Sequence, residues 1–173
     1  MATFLEGDQL AGSHRFAVAV ARFNADITEP LLDGALHAFR AAGVADDAVD
    51  VARVPGAFEL PVACEKLAAT GKYSAVIALG CVLRGDTPHF DYVCAETSRG
   101  VMDVGLRHQL PAILGVLTCD TLAQAQLRAS RTVLESSDRV EAGRSEKHSL
   151  ESNKGSEAAD AALEMAGLME KIR

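Results

Sequence analysis

The sequence is poor in aromatic residues and in basic charge. Aromatic residues make up only 5% of its 173 residues, and tryptophan is missing altogether. The core is therefore expected to consist mostly of alanine and branched aliphatic side chains. Lysine and arginine number 17 against 24 aspartates and glutamates, which gives a net charge of −7. This acidic balance argues against nucleic acid as a partner.

Long apolar runs and paired cysteines are also lacking. The most apolar stretch, Ala75 to Leu83, is far shorter than the roughly 18 residues needed to span a bilayer, so no membrane partner is predicted. The first fourteen residues have neither the basic start nor the apolar run of a secretory signal. No C-x-x-C pair is present, and apolar surroundings predict core thiols in the cytoplasm rather than disulfides for Cys64, Cys81, Cys94 and Cys119.

The residues that are present suffice for one globular domain. Hydrophobic residues make up 49% of the chain and the mean hydropathy is +0.10, which excludes a disordered chain. At about 150 residues per domain, the length predicts a single domain at 15–173 after an N-terminal arm at 1–14. Serines and charges of both signs fill Glu135 to Glu157, so we predict a solvated loop or frayed helix there, with a polar insertion around 135–152.

Apolar runs and helical stripes alternate four times along this domain. Strands are predicted at the short apolar runs 15–21, 49–54, 74–83 and 112–118. Helical patterns follow each run: Leu31 to Phe39, 58–69, 90–109 and a segment that begins with the capping box Thr121–Gln124. Repeated β-then-α units predict an α/β, flavodoxin-like fold, a three-layer sandwich whose four-stranded parallel sheet carries helices on both faces.

Two helices have further sequence signals. Pro30 is expected only in the first turn of the first helix, and Gly43 is expected to end that helix as its C′ residue. A terminal helix is predicted to pack on the domain or on a neighbour through one face, formed by Ala158, Ala161, Ala162, Met165, Leu168, Met169 and Ile172.

The loops after the strands are the places to look for chemistry, because ligands of open α/β sheets bind at the carboxyl ends of the strands. After the third strand, the N–H groups of Gly85, Asp86 and Thr87 could hold a phosphate, although a capping loop explains the same residues. His89 follows at a helix start, where the positive end of the helix dipole disfavours the imidazolium. It is either a general acid/base or a capping or surface histidine.

Other signals at these loops are aromatic. Phe23 and Phe58 each stand at a strand end, where a large ring either stacks on a flat ligand or packs beneath a loop. No histidine pair has metal-ligand spacing, so no metal site is predicted. Dinucleotide, P-loop and serine-hydrolase fingerprints are also missing.

Several strand-end motifs, taken in order, closely resemble the lumazine synthase family. They are Arg22-Phe-Asn24, Val54-Pro-Gly-Ala-Phe-Glu-Leu-Pro61, Ala78-Leu-Gly-Cys-Val-Leu-Arg-Gly-Asp-Thr-Pro-His-Phe-Asp-Tyr-Val93, Gly115-Val-Leu-Thr118, Gln124-Ala with Arg128-Ala129, and Asn153-Lys-Gly155. The resemblance implies a transferase of riboflavin biosynthesis that works without a cofactor. It condenses 5-amino-6-(D-ribitylamino)uracil with 3,4-dihydroxy-2-butanone 4-phosphate to 6,7-dimethyl-8-ribityllumazine, releasing phosphate and water.

The resemblance also implies a role for each residue of a two-substrate site. His89 would move protons, and Phe23 would stack on the pyrimidine. Leu114 stands where many members place a second aromatic ring from the neighbouring subunit. The pyrimidine edge and the ribityl chain would be bound by Cys81, Val82, Leu83, Ala57, Phe58 and Glu59. The phosphate would be held by Gly85, Asp86, Thr87 and Arg128, with Lys154 and Glu157 as further candidates.

Assembly is the last property that the resemblance implies. Members form pentamers with active sites between adjacent subunits, and some pair as decamers or close into sixty-subunit capsids. Here a polar insertion separates Arg128 from Lys154, whereas capsid closure depends on a short connection, so we expect a homopentamer or a decamer and no capsid. The alternative functions are an archaeal-type riboflavin synthase, a lumazine- or flavin-binding pentamer with low catalytic activity, and a generic flavodoxin-like mononucleotide binder.

Overall fold

The computed structural model describes residues 1–9, 11–131 and 152–172. Its sheet has four parallel strands in the order β2-β1-β3-β4, namely β1 Phe16–Ala21, β2 Val49–Val54, β3 Ala75–Leu83 and β4 Ala112–Cys119. The helices are α1 Ala25–Ala41, α2 Leu60–Ala68, α3 His89–His108, α4 Leu122–Arg128 and α5 Lys154–Ile172. Single 3₁₀ turns occupy Asp46–Ala48 and Ala57–Glu59. The predicted α/β, flavodoxin-like fold is confirmed.

Strand β1 explains why so few aromatic residues suffice for this core. All of its residues are buried, and they alternate between large and small. Its large side chains, Phe16, Val18 and Val20, pack in the layer of α1 and α5, where Phe16 stacks on Phe39. Its alanines pack in the opposite layer with α2 and α3. Because successive side chains of a strand point to opposite faces, one strand serves both cores of the sandwich.

Helix α1 begins earlier than the sequence suggested. It starts at Ala25, so Pro30 lies in its second turn and the expectation of a first-turn proline is wrong. Proline has no N–H and leaves the carbonyl of Asp26 without its helical donor, but Asp26 is exposed and water can hydrate it. The end of the helix is as predicted: Ala42 caps it and Gly43 follows with a φ of +84°.

Helix α5 corrects two expectations. Residues 154–157, predicted as the end of a solvated loop or frayed helix, form its ordered first turn, whereas residues 135–151 of that predicted segment lie outside the described residues. The predicted apolar face is correct only in part: Ala158 and Ala162 are buried, but Ile172 is 57% exposed and the other four residues are half-buried. The buried face of α5 consists mostly of small residues. Their size allows α5 to approach α1 closely. That face consists of Gly155, Ala158, Ala159, Ala162, Leu163, Ala166 and Gly167.

Helix α4 starts with half of the predicted capping box. The Thr121 hydroxyl accepts a hydrogen bond from the N–H of Gln124 at 3.2 Å, as predicted. The side chain of Gln124 reaches back to the N–H of Asp120 at 2.9 Å, one residue before the expected partner. The two bonds satisfy the N–H of Asp120, directly after β4, and the N–H of Gln124 in the first turn of α4.

Three of the four cysteines confirm the prediction of core thiols. All four are free; Cys94 is half-buried, while Cys64, Cys81 and Cys119 are buried. Burial raises the pKa of Cys64 and of Cys81 to about 12, so both are neutral thiols near pH 7. They pack as small apolar side chains.

No helix among residues 1–9, 11–131 and 152–172 is long and apolar enough to cross a membrane.

Candidate active site

A cavity of about 880 Å³ opens at the carboxyl ends of β1, β2 and β3. Its wall is built from the three loops that follow these strands and from the first turn of α3. This is the edge of the sheet at which α/β folds bind ligands. The lining residues are Phe23, Asn24, Gly56, Ala57, Phe58, Glu59, Cys81, Val82, Leu83, Gly85, Thr87, His89, Phe90, Tyr92 and Val93.

The loop after β1 is fastened to both neighbouring strands. The N–H of Phe23 donates to the carbonyl of Pro55 at 3.0 Å, beyond the end of β2. Asn24 has a left-handed backbone with a φ of +58°, and its side chain donates to the carbonyl of Cys81 on β3 at 2.9 Å. Asparagine tolerates this conformation better than most residues. The backbone that carries Phe23 is therefore held in place.

Two aromatic rings at the mouth of this cavity, Phe23 and Phe58, face solvent. Phe23 is 70% exposed and Phe58 is 59% exposed. Of the two readings left open for them, packing beneath a loop is therefore wrong. Each ring offers a flat apolar surface at the mouth of a cavity, where stacking on a planar ligand would remove it from water.

The turn after β2 is anchored through its backbone. The buried hydroxyl of Thr97 on α3 donates to the carbonyl of Ala57 at 3.2 Å. A Cβ atom on Gly56 would lie 3.2 Å from Oε2 of Glu59, so the glycine leaves room for that carboxylate. Glu59 is only half-buried and can accept hydrogen bonds from a polyol chain in the cavity.

The end of β3 presents unused main-chain groups to the cavity. The N–H of Arg84 donates to the carbonyl of Cys119 on β4 at 2.9 Å. Because the hydrogen-bonding groups of a strand alternate between its two neighbours, Leu83 directs its own N–H and carbonyl toward the opposite side. The pairing of β1 with β3 ends at Val20 and Leu79, four residues before Leu83. A ligand edge can therefore bond to the main chain of Leu83, beyond the end of that pairing.

Arg84 fixes the loop between β3 and α3. Its guanidinium donates to Asp120 at 2.7 Å and to Asp91 at 3.1 Å, and it lies 4.1 Å from the ring centroid of Phe90. The loop is thereby joined to the end of β4 and to the first turn of α3. Both ion pairs raise the pKa of Arg84, which is a cation at every relevant pH.

The helix start completes this cavity. Gly85 and Thr87 line it in the loop, and His89 is the first residue of α3 and is exposed. The free N–H groups at the start of this 20-residue helix and its dipole favour an anion. Asp86 lies in the same loop but outside the cavity lining.

The remaining predicted residues line a second cavity, of about 390 Å³, along β4, the end of α4 and the start of α5. Here Leu114 is 46% exposed. Arg128 donates one of its N–H groups to the carbonyl of Gln124 at 3.1 Å, and Lys154 pairs with Glu157 at 2.6 Å. The two cavities share no lining residue. Within one chain, the structure therefore does not bring Leu114 or Arg128 to Phe23 and His89.

The sequence analysis missed five lining residues. Asn24, Gly56, Phe90, Tyr92 and Val93 all stand inside the quoted motifs without an assigned role. Tyr92 and Val93 could also have been found from His89, since residues three and four positions apart share one face of a helix. Among the described parts of the chain, no group of three histidine, cysteine or acidic side chains could hold a metal ion.

Comparison with known proteins identifies the family. The family model of 6,7-dimethyl-8-ribityllumazine synthase matches residues 13–170. The chain belongs to this family. Three relatives named 6,7-dimethyl-8-ribityllumazine synthase match along practically all of both chains. The protein of Salinibacter ruber is 47% identical over 172 residues, covering 99% of each chain. Those of Desulfatibacillum aliphaticivorans and Desulfotalea psychrophila are each 44% identical over 173 residues, covering 100% of each chain.

Membership of the lumazine synthase family confirms the resemblance that the strand-end motifs indicated. Those motifs supply much of the wall of the larger cavity, and Arg128 and Lys154 from the later motifs line the smaller one. The residues of these motifs that line a cavity therefore gather at two places in one chain.

Proposed function

We propose that the two cavities are the two halves of an active site for the lumazine synthase reaction. This reaction joins 5-amino-6-(D-ribitylamino)uracil to 3,4-dihydroxy-2-butanone 4-phosphate and releases 6,7-dimethyl-8-ribityllumazine, phosphate and water. The observation that carries the proposal is that one cavity combines an exposed Phe23 ring, a glycine-containing helix start and His89. A planar substrate, an anionic substrate and a proton carrier can meet there.

The pyrimidine substrate fits the part of the larger cavity between β1 and β3. Its ring would stack on Phe23, and its polar edge would bond to main-chain groups around Leu83, with Cys81 and Val82 beside it. The ribityl chain would run along the turn at Ala57 and Phe58. There Glu59 would accept hydrogen bonds from its hydroxyl groups.

The phosphate-bearing substrate fits the helix start. The backbone N–H groups of Gly85, Asp86 and Thr87 would bind the phosphate at the positive end of α3. Arg128 would add charge-assisted hydrogen bonds from a guanidinium fork. Lys154, paired with Glu157, would add positive charge beside it.

His89 would transfer the protons. Imine formation, phosphate elimination and ring closure each move a proton, and one imidazole can serve as acid and as base. Holding both substrates side by side would supply much of the remaining acceleration, because it replaces an encounter in solution by a reaction within one complex.

We also propose that a complete site forms only between two copies of this chain. Arg128 and Leu114 line a cavity separate from that of Phe23 and His89, so an adjacent copy would supply them. Exposed apolar side chains on α2 and α3, including Val62, Met102 and Leu106 at 61–72% exposure, support burial against another copy. We propose a homopentamer, alone or paired as a decamer. The free thiols support a cytoplasmic location.

One assay tests the proposed reaction. Purified protein is mixed with both substrates, and lumazine formation is followed by its fluorescence against a mixture without protein. We expect protein-dependent formation of lumazine. A protein that binds lumazine without accelerating its formation would be a binding protein instead. Conversion of lumazine supplied alone into riboflavin would identify a riboflavin synthase.

A further inference from the structure

Asn153 is a buried amide at the junction of three chain segments. It is 3% exposed and directly precedes α5. Its Nδ2 donates to the carbonyl of Pro30 in α1 at 3.0 Å and to that of Ser130 after α4 at 3.3 Å. Its Oδ1 accepts the N–H groups of Gly155 and Ser156 at 3.0 and 3.1 Å. Both donors and both lone pairs of the amide are therefore used.

The backbone around Asn153 continues this junction. Asn153 forms an antiparallel bridge with Ala129. On either side, the N–H of Ser130 donates to the carbonyl of Ser152 at 3.1 Å, and the N–H of Ser152 donates to that of Leu127 at 2.8 Å. The chain that leaves α4 and the chain that enters α5 are thus paired directly.

Two glycines make room for the junction. A Cβ atom on Gly34 of α1 would lie 2.0 Å from Oδ1 of Asn153, and one on Gly155 would lie 1.8 Å from the carbonyl oxygen of Leu31. Real side chains never approach this closely. The bare backbone of Gly34 therefore lets the amide of Asn153 reach the carbonyl of Pro30.

The residues that flank this junction belong to the smaller cavity. Arg128 directly precedes Ala129, and Lys154 directly follows Asn153, and both line the same 390 Å³ space. We propose that Asn153 is a positioning residue for the phosphate half of the active site. By joining α4, α5 and α1, it holds the guanidinium of Arg128 and the ammonium of Lys154 at one place. This inference rests on the proposed binding of the phosphate-bearing substrate by Arg128.

The first test replaces the amide. Asn153→Ala removes all four hydrogen bonds, so the ends of α4 and α5 lose their common anchor. We expect the KM for the phosphate-bearing substrate and the inhibition constant of inorganic phosphate to rise by about tenfold or more, since small misplacements of binding groups are costly. The KM for the pyrimidine substrate should stay within about twofold of wild type, because its cavity shares no residue with this junction.

A second variant displaces Asn153 without changing it. Gly34→Ala places a Cβ atom where the amide lies, while alanine suits the interior of helix α1 better than glycine. The added Cβ atom is therefore expected to displace the amide of Asn153 and leave α1 helical. The variant should raise the KM for the phosphate-bearing substrate and the inhibition constant of inorganic phosphate. In the double variant these constants should be close to those of either single variant, because both changes act on one contact.

The matched control lies on the same part of α1. Asp33 accepts a hydrogen bond from Arg131 at 2.6 Å, an exposed ion pair that also joins α1 to the segment after α4. Asp33→Asn weakens this pair and leaves the amide of Asn153 intact. We expect unchanged values of KM for both substrates.

The outcomes separate this inference from the proposed function. A role in folding alone would lower the melting temperature or the active fraction of both variants and leave their KM values unchanged, and that result would overturn the inference. The same variants are compared with Arg128→Ala. A raised phosphate KM in Arg128→Ala, without one in Gly34→Ala and Asn153→Ala, refutes the positioning role alone. An unchanged KM in Arg128→Ala refutes the phosphate site and the positioning role together.

Discussion

Asn24 donates its side-chain N–H to the carbonyl of Cys81 at 2.9 Å, and this bond joins the carboxyl ends of β1 and β3. Phe23 directly precedes Asn24. Cys81 lies near the end of β3, and the loop that follows β3 leads to His89. The two sides of the larger cavity are therefore connected before any ligand arrives. A site whose groups are already in place loses little conformational entropy on binding.

Replacing His89 tests its role in proton transfer. His89→Ala should fold normally, because the side chain is exposed at the start of α3. We expect kcat to fall by about 100-fold, at the low end of general acid–base effects, since the bound substrates remain side by side. The measurement is steady-state lumazine formation. His108→Ala, at the other end of α3, is the control, and equal losses in both variants would contradict the assignment.

Replacing Arg128 tests its contact with the phosphate. Arg128→Ala should raise the KM for the phosphate-bearing substrate by about 10- to 100-fold, in line with the loss of charged hydrogen bonds, and change kcat less. Arg131→Ala serves as the control, because Arg131 already pairs with Asp33 at 2.6 Å and lies outside the cavity lining. Unchanged kinetics in the Arg128 variant would rule out the assigned contact.

Leu114 offers a gain-of-affinity test. Its side chain is 46% exposed in the smaller cavity, at the position where many members of the family carry a ring. Leu114→Phe should tighten binding of the pyrimidine substrate and of lumazine by about 2- to 10-fold, the range expected for one added aromatic contact. Leu122→Phe, on exposed α4, should change neither. Tighter binding in both variants would indicate a nonspecific effect, which fluorescence titration with lumazine would reveal.

The sequence predicted the positions of strands and helix ends better than it predicted which side of a helix is buried. The apolar run of β1, the C′ position of Gly43 and the N-cap of Thr121 follow from local rules, and the structure contains all three. The buried face of α5 does not follow from hydrophobicity, because a close approach to α1 selects small residues over large ones. Pro30 within α1 shows the same limit, since the carbonyl that it leaves without a helical donor belongs to Asp26, which is exposed.

For the candidate site, the sequence predicted which loops carry its residues but not how those residues divide between the two cavities. The strand-end motifs located Phe23 and His89 in one cavity, as expected for a parallel sheet. Arg128 lines the other cavity because of how α4 packs beside β4. No local sequence pattern predicts that packing. The hydrogen bonds of Asn153 connect residues far apart in the chain and were equally hidden.

The ion pair between Glu29 and Arg53 predicts a pH dependence of stability. Arg53 donates two hydrogen bonds to Glu29, one of them at 3.0 Å to Oε2, and joins β2 to α1. This hydrogen bonding lowers the pKa of Glu29 below its ordinary value of 4.5. A carboxylate with a lowered pKa in the folded state stabilises the fold above its unfolded-state pKa, and that contribution disappears as the pH falls through the folded-state value.

Glu29→Gln measures this contribution. At pH 7 the variant should lose less than about 1 kcal/mol of unfolding free energy, because the pair is partly exposed. The difference from wild type should shrink as the pH falls below 4.5. Urea unfolding at one protein concentration, at pH 7 and at pH 3, checks this, with the exposed Asp47→Asn as the control. A difference that is the same at both pH values would contradict the assigned ion pair.

The mass of the particle in solution tests the proposed assembly. Arg128 and Lys154 are separated by residues 129–153, a longer connection than the resemblance implies for capsid-forming members, so closure into a capsid is not expected. Light scattering should therefore give about 91 kDa for five chains of 18.2 kDa, or about twice that for two pentamers. Lumazine formation should follow the pentamer on dilution, because the proposed site is shared between two copies. A megadalton particle would refute this prediction, and a fully active monomer would refute the shared site.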